Sequence, residues 1–109
     1  MKVLEEIYKI LDEKKGTDLV VLNIEKITSI AEYFVIVTAE NVSKMSTLEI
    51  SVKEGLEKIG VSPLRIEGEK KGNWILMDYG DIVVHIFSEE GREYYGLERI
   101  WKDAKIVEF

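Results

Sequence analysis

The sequence predicts an α/β fold in which helices flank a mixed five-stranded sheet. Three observations predict it: two apolar runs of strand length, two amphipathic stretches at helical spacing, and a glycine-punctuated hairpin toward the carboxyl end. At 109 residues the chain can bury one core but not a second independent one. Residues 1–109 are therefore read as a single domain, with 103–109 as its C-terminal tail.

Val3, Leu4, Ile7, Tyr8, Ile10 and Leu11 recur at helical spacing over 2–15, and Lys14-Lys15-Gly16 supplies a cationic end and a stop. Asp18-Leu19-Val20-Val21-Leu22-Asn23-Ile24 is nearly continuous in apolar character, as expected of a central strand covered on both faces. Tyr33-Phe34-Val35-Ile36-Val37-Thr38 repeats that character after a loop or short turn at 26–32. Asn41 or Ser43 can cap a second helix, in which Met45, Leu48, Val52, Leu56 and Ile59 recur every three or four residues until Gly60 ends the pattern. Leu64-Arg65-Ile66-Glu67 alternates like a strand after Pro63, and Lys70-Lys71-Gly72-Asn73 makes the next turn. Parallel pairing is expected where the second helix crosses over, and antiparallel pairing in the final hairpin. The tail, Lys105-Ile106-Val107-Glu108-Phe109, alternates and suits either an edge strand or a contact with a second subunit.

Gly80-Asp81 reads as a two-residue hairpin turn, glycine at its first central position favouring type II′, which pairs Tyr79 with Ile82. Alternation then separates two faces. Ile75, Met77 and Tyr79 opposite Ile82, Val84 and Ile86 make a core face. Trp74 opposite Phe87, Leu76 opposite His85 and Asp78 opposite Val83 make a mixed one, with Asp78 diagonal to His85. That mixed face has two readings: packing beneath a helix around a satisfied buried histidine, or a partly exposed recognition face anchored by aromatics. Ser88-Glu89-Glu90 starts a further helix, with Tyr94, Leu97, Ile100 and Trp101 at helical spacing and Arg92 and Glu93 expected in solvated ion pairs. Gly91 and Gly96 weaken this helix and can divide it into two short pieces.

The net charge of -6 opposes binding driven by nucleic-acid phosphates and suits a basic protein partner better. Between Trp74 and Trp101, Asp78, Asp81, Glu89, Glu90, Glu93 and Glu98 face only Arg92 and Arg99, so acidity and aromatics are concentrated together. Without cysteine, and with His85 as the lone histidine, there is no thiolate or multi-histidine metal site. Asp78 and Asp81 could together hold Mg²⁺ or share acid–base work, yet they flank a turn and need not converge. No phosphate-binding glycine loop and no nucleophile elbow occurs. The expectation is no catalytic residue, no metal and no cofactor. Acids at the N-terminus and the absence of a run of about 20 apolar residues argue against a secretory signal or membrane span, so a cytoplasmic location is expected.

The run WILMDYGDIVVHIFSEEGREYYGLERIW, with SIAEYFVIVT at 29–38 and PLRIEG at 63–68, resembles the Iojap family of ribosomal silencing factors (RsfS) over roughly residues 2–103. The resemblance implies a nucleotidyltransferase-like topology without that activity, commonly as a homodimer. It also implies binding to the large-subunit ribosomal protein numbered fourteen, on the surface that meets the small subunit. Occupying that surface would block subunit joining and lower translation when nutrients are scarce. A large-subunit assembly role, as in organellar relatives, is the alternative, and a Mg²⁺-dependent nucleotidyltransferase-like enzyme using Asp78, Asp81 and Glu32 is a further one.

The residues matching the family motif are Trp74, Asp78, Tyr79, Gly80, Asp81, His85, Arg92, Tyr94, Tyr95, Leu97, Glu98 and Trp101. Among them Trp74, Asp78, Tyr79, Asp81 and His85 are the expected partner-binding set, and Gly80 is expected to hold the turn. The sequence departs from the family pattern at Glu32, where Asp is usual, and at Asn23, where an acid is usual. Residues 39–46 lack the usual glycine and basic/histidine pair, and Gly91 replaces a bulkier residue.

Overall fold

Apolar residues at helical spacing make Lys2–Glu13 a helix, α1, which buries Leu4, Ile7 and Leu11 in the computed structural model, described over residues 2–68, 72–100 and 102–109. The chain reverses at Lys15, which takes the left-handed conformation at φ 59°, and the Gly16 amide then donates to Leu11 O at 3.0 Å. Gly16 is small for a different reason: a Cβ there would lie 2.4 Å from Val37 Cγ2. Strand β1 (Thr17–Asn23) and strand β2 (Tyr33–Ala39) follow as an antiparallel pair. Asn41 caps α2 (Val42–Glu57), its Oδ1 accepting the Lys44 amide at 2.7 Å. Gly60 lies beyond its end with φ 79°, where an L side chain would be strained.

Next come β3 (Arg65–Glu67), β4 (Trp74–Asp78), β5 (Ile82–Ser88), α3 (Glu89–Tyr95), α4 (Leu97–Ile100) and β6 (Lys105–Ile106). The strands form one mixed sheet ordered β3-β4-β5-β2-β1-β6. Among the described residues the count is six, not the five expected. The sixth strand is the tail, pairing Leu22 with Ile106 and Asn23 with Lys105. A two-residue ladder is too short for sequence alternation to separate it from a fraying end. Phe109 extends the attachment by stacking on Tyr8 at 4.6 Å.

The parallel pair is β2 with β5, in register from Tyr33 opposite Ile82 to Ala39 opposite Ser88. Helix α2 crosses from β2 to β3, which points the same way but lies beyond β5 and β4 in the order. Strand β1, expected to be covered on both faces, begins exposed at Thr17 and Asp18 and bulges before Val20.

One face of the sheet packs Val35, Val37, Ile75, Met77, Val84 and Ile86 against Leu4, Ile7 and Leu11 of α1 and Met45, Leu48, Val52 and Leu56 of α2. Burial of these apolar side chains is the main source of stability. The opposite, or back, face carries a smaller cluster of Leu22, Ile24, Phe34, Ile36, Val83 and Phe87. Among the described residues, Leu97 of α4 and Ala104 pack with Trp74 and Leu76 at its margin, and Tyr95 of α3 lies against Trp74 and Phe87. Trp74 and Leu76, on the β4 side of this face, remain partly exposed, which places the candidate site.

Candidate functional site on the back face of the final hairpin

The hairpin register matches the expectation at every pair, from Trp74 opposite Phe87 to Asp78 opposite Val83. Gly80 takes φ 89°, the conformation a primed turn needs at its first central position. Asp78 Oδ1 accepts the Gly80 amide at 2.8 Å, and its Oδ2 lies 3.3 Å from Arg65 Nε. On the far side of the turn, the Asp81 carbonyl accepts the amides of Glu32 and Tyr33 at 2.8 and 3.0 Å. The turn is thus tied to β3 on one side and to the start of β2 on the other.

Tyr79 falls on the helix-facing side and packs against the larger core. Its hydroxyl is buried without a hydrogen-bond partner among the described residues. Burial, followed by the nearby Glu57 carboxylate, pushes its pKa up to about 12. Tyr79 therefore does not share a surface with Trp74, although both stand in the expected partner-binding set.

On the back face, Trp74 Nε1 donates to His85 Nδ1 at 3.0 Å. His85 is only 3% exposed, and its Nε2 has no hydrogen-bond partner among the described residues. Burial pushes its pKa down to about 4, so the imidazole is neutral at ordinary pH. The Trp74 indole also lies 5.3 Å from the Phe87 ring and 4.6 Å from Tyr95. His85 is packed away, as the packing reading expected, whereas Trp74 and Leu76 remain partly exposed. Together with Glu67 and Gly68 they line a notch of about 150 Å³. Gly68, at φ 107°, permits the approach that forms it, since a Cβ there would stand 2.2 Å from the Trp74 carbonyl oxygen.

The remaining motif residues separate by role. Asp81 is exposed at the hairpin tip. Arg92 reaches into the fold: its guanidinium donates to the Asp18 carbonyl and, at 2.9 Å, to Thr38 Oγ1, because α3 lies over the ends of β1 and β2. Gly96 takes the left-handed conformation that divides α3 from α4, confirming the broken helix. Tyr94 is 81% exposed, and Leu97 packs on the back cluster. Trp101, Lys70, Lys71 and the side chain of Glu98 lie outside the described residues.

Two surface residues escaped sequence reasoning. Leu64 is 74% exposed and approaches the turn, its Cδ1 lying 3.8 Å from where a Gly80 Cβ would be. Glu67 enters the notch because β3 is an edge strand beside Trp74. Its charge on an alternating strand was the available signal, but strand order was not. No group of three or more His, Cys, Asp or Glu among the described residues could hold a metal ion. A larger polar crevice of about 490 Å³ lies at α3 and α4, but its guanidiniums are engaged, Arg99 donating to Glu93 O at 2.8 Å.

The family model described as "Ribosomal silencing factor during starvation" matches residues 1–109. The chain belongs to this family. It is 36% identical over 98 residues to the ribosomal silencing factor RsfS of Halalkalibacterium halodurans, covering 90% of this chain and 84% of the relative. The RsfS of Bacillus subtilis is 32% identical over 97 residues, covering 89% and 82%. A crystal structure of a Chromobacterium violaceum protein superposes with a TM-score of 0.88 at 31% identity, covering 93% of this chain and 84% of that one. Family membership bears out the resemblance read from the hairpin motif and relates the chain to regulators of the ribosome. No helix among the described residues is long and apolar enough to cross a membrane.

Proposed function

We propose that this ribosomal silencing factor docks through the back face of its β4–β5 hairpin on a basic protein of the large ribosomal subunit, the one numbered fourteen, and sterically blocks joining of the small subunit in the cytoplasm. The observation that carries this reading is Trp74: a partly exposed indole held by His85, Phe87 and Tyr95 on an acidic chain. Rigid aromatics in partly desolvated notches are the usual anchors of protein interfaces. Glu67 beside the notch and exposed Asp81 at the turn supply charge that steers a basic partner, while the indole slows dissociation. Association as a homodimer is part of the same reading and is tested by sedimentation equilibrium.

Purified protein should cosediment with isolated large subunits and not with small ones, and should suppress formation of whole ribosomes. Trp74→Ala should weaken binding by about 2 kcal/mol, roughly thirtyfold, with the fold retained. Equal binding to both subunits, or unimpaired joining, sinks the proposal. Retention on precursor subunits alone would instead indicate an assembly factor.

A further inference from the structure

We propose that His85 is a positioning residue for the docking face, holding the Trp74 indole upright as the wall of the Glu67–Gly68–Leu76 notch through the lone pair of Nδ1. The inference rests on docking through Trp74. It changes the part His85 plays, since a ring 3% exposed cannot itself meet a partner.

The chemistry fixes the state of the ring. Indole Nε1 is only a donor, so the His85 Nδ1 that receives it at 3.0 Å carries no proton. A neutral imidazole must then hold its proton on Nε2. The ring plane is set by its neighbours: Phe34 meets it edge-on at 4.5 Å and 68°, and Phe87 lies nearly parallel at 6.1 Å and 7°. The acceptor therefore points in a defined direction. Stacking of Trp74 on Phe87 and Tyr95 limits the tilt of the indole but does not choose which edge turns inward. The hydrogen bond makes that choice, and the notch is left with a wall whose only polar group is already satisfied.

A role confined to packing fits poorly. His85 stands opposite Leu76 and beside Ile36 in the sheet, where an aliphatic side chain would leave no orphan. Instead the ring keeps Nε2 buried and, among the described residues, unpartnered. What the histidine provides that a leucine could not is the acceptor for Trp74.

The test uses the full chain, ¹⁵N NMR and isolated large subunits as the binding probe. His85→Leu removes the acceptor, while His85→Asn retains one near the position of Nδ1. In wild type the Trp74 indole proton, assigned by its loss in Trp74→Phe, should exchange slowly, and the imidazole nitrogens should report the proton on Nε2. His85→Leu should speed that exchange and weaken subunit binding about tenfold, and His85→Asn should restore both to within about twofold. Tight binding by folded His85→Leu, or equal weakening by both variants, overturns the proposal while leaving docking through Trp74 intact. A wild-type imidazole with its proton on Nδ1 overturns it even if His85→Leu does not fold. Normal binding by Trp74→Ala would remove the docking reading and this proposal with it.

Discussion

The carboxylate of Asp78 accepts the Gly80 amide at 2.8 Å with one oxygen and meets Arg65 Nε at 3.3 Å with the other. An acid that composition offers as a metal ligand or partner contact is thus engaged within the fold. Aspartates bond the backbone two residues ahead in this way to stabilise turns. The bond fixes Gly80-Asp81 at the tip, and the tip fixes the register that brings His85 near Trp74. Outward charge at this end falls instead to Asp81 and Glu67, which are exposed.

Replacing Asp78 should separate these roles. Asp78→Ala removes the turn acceptor and the Arg65 partner, and should cost about 1–2 kcal/mol of stability. Asp78→Asn keeps the acceptor, and the lost pair is worth about 0–1 kcal/mol because the Arg65 side chain is 63% exposed. Urea midpoints at constant slope measure both. If Asn proves as damaging as Ala, the ion pair and not the turn carries the effect.

Much of this site could be read in the sequence because its determinants are local. Gly80-Asp81 between alternating residues fixed the pairing of Leu76 with His85, and Gly96 announced the break after Tyr95. Tyr79 shows where locality fails: alternation assigned it to the core face, while its place at the tip suggested a surface contact. The structure buries its hydroxyl. The β2–β5 pairing and the edge position of β3 depend on contacts between distant segments, so Glu67 could not be placed beside Trp74. Nor could Arg92 be paired with Thr38, because that bond exists only once α3 lies over β2.

Acid should weaken the fold through His85. Its folded pKa is depressed from 6.5 to about 4, so below about pH 6.5 the unfolded chain takes up a proton that the folded one refuses. The contribution is fully present above that pH and is lost as pH falls from about 6.5 to about 4, at no more than about 1.4 kcal/mol per pH unit. Denaturation midpoints of wild type and His85→Asn across this window should converge toward low pH. Parallel curves would mean that His85 does not titrate as its burial dictates.

Gly91→Ala should destabilise, against the usual preference for alanine in helices of about 1 kcal/mol. A Cβ there would stand 2.3 Å from the Asn73 carbonyl oxygen and 2.7 Å from Asn73 Cβ. Ser88 holds this junction closed, its Oγ donating to Asn73 Oδ1 at 2.8 Å and accepting the Gly91 amide at 2.9 Å. Displacing backbone should cost about 1–3 kcal/mol, read as a lower melting temperature. A stabilised variant would show that residues 72–73 move aside freely.

Arg92 should prove structural. Its guanidinium joins α3 to the Asp18 carbonyl, next to the bulge of β1, and to Thr38 Oγ1, which is buried on β2. Asp18 has φ 48°, an unfavourable conformation for a side-chain-bearing residue that this bond helps to hold. Arg92→Ala should therefore lower stability by about 1–3 kcal/mol and speed amide exchange around Asp18, and Arg92→Lys, with one compact donor group in place of the fork, should recover only part. Folded Arg92→Ala should still bind large subunits within about twofold of wild type, because charge changes away from an interface core act mainly on encounter. Loss of binding with unchanged exchange at Asp18 would instead make Arg92 a partner contact and extend the docking face along α3.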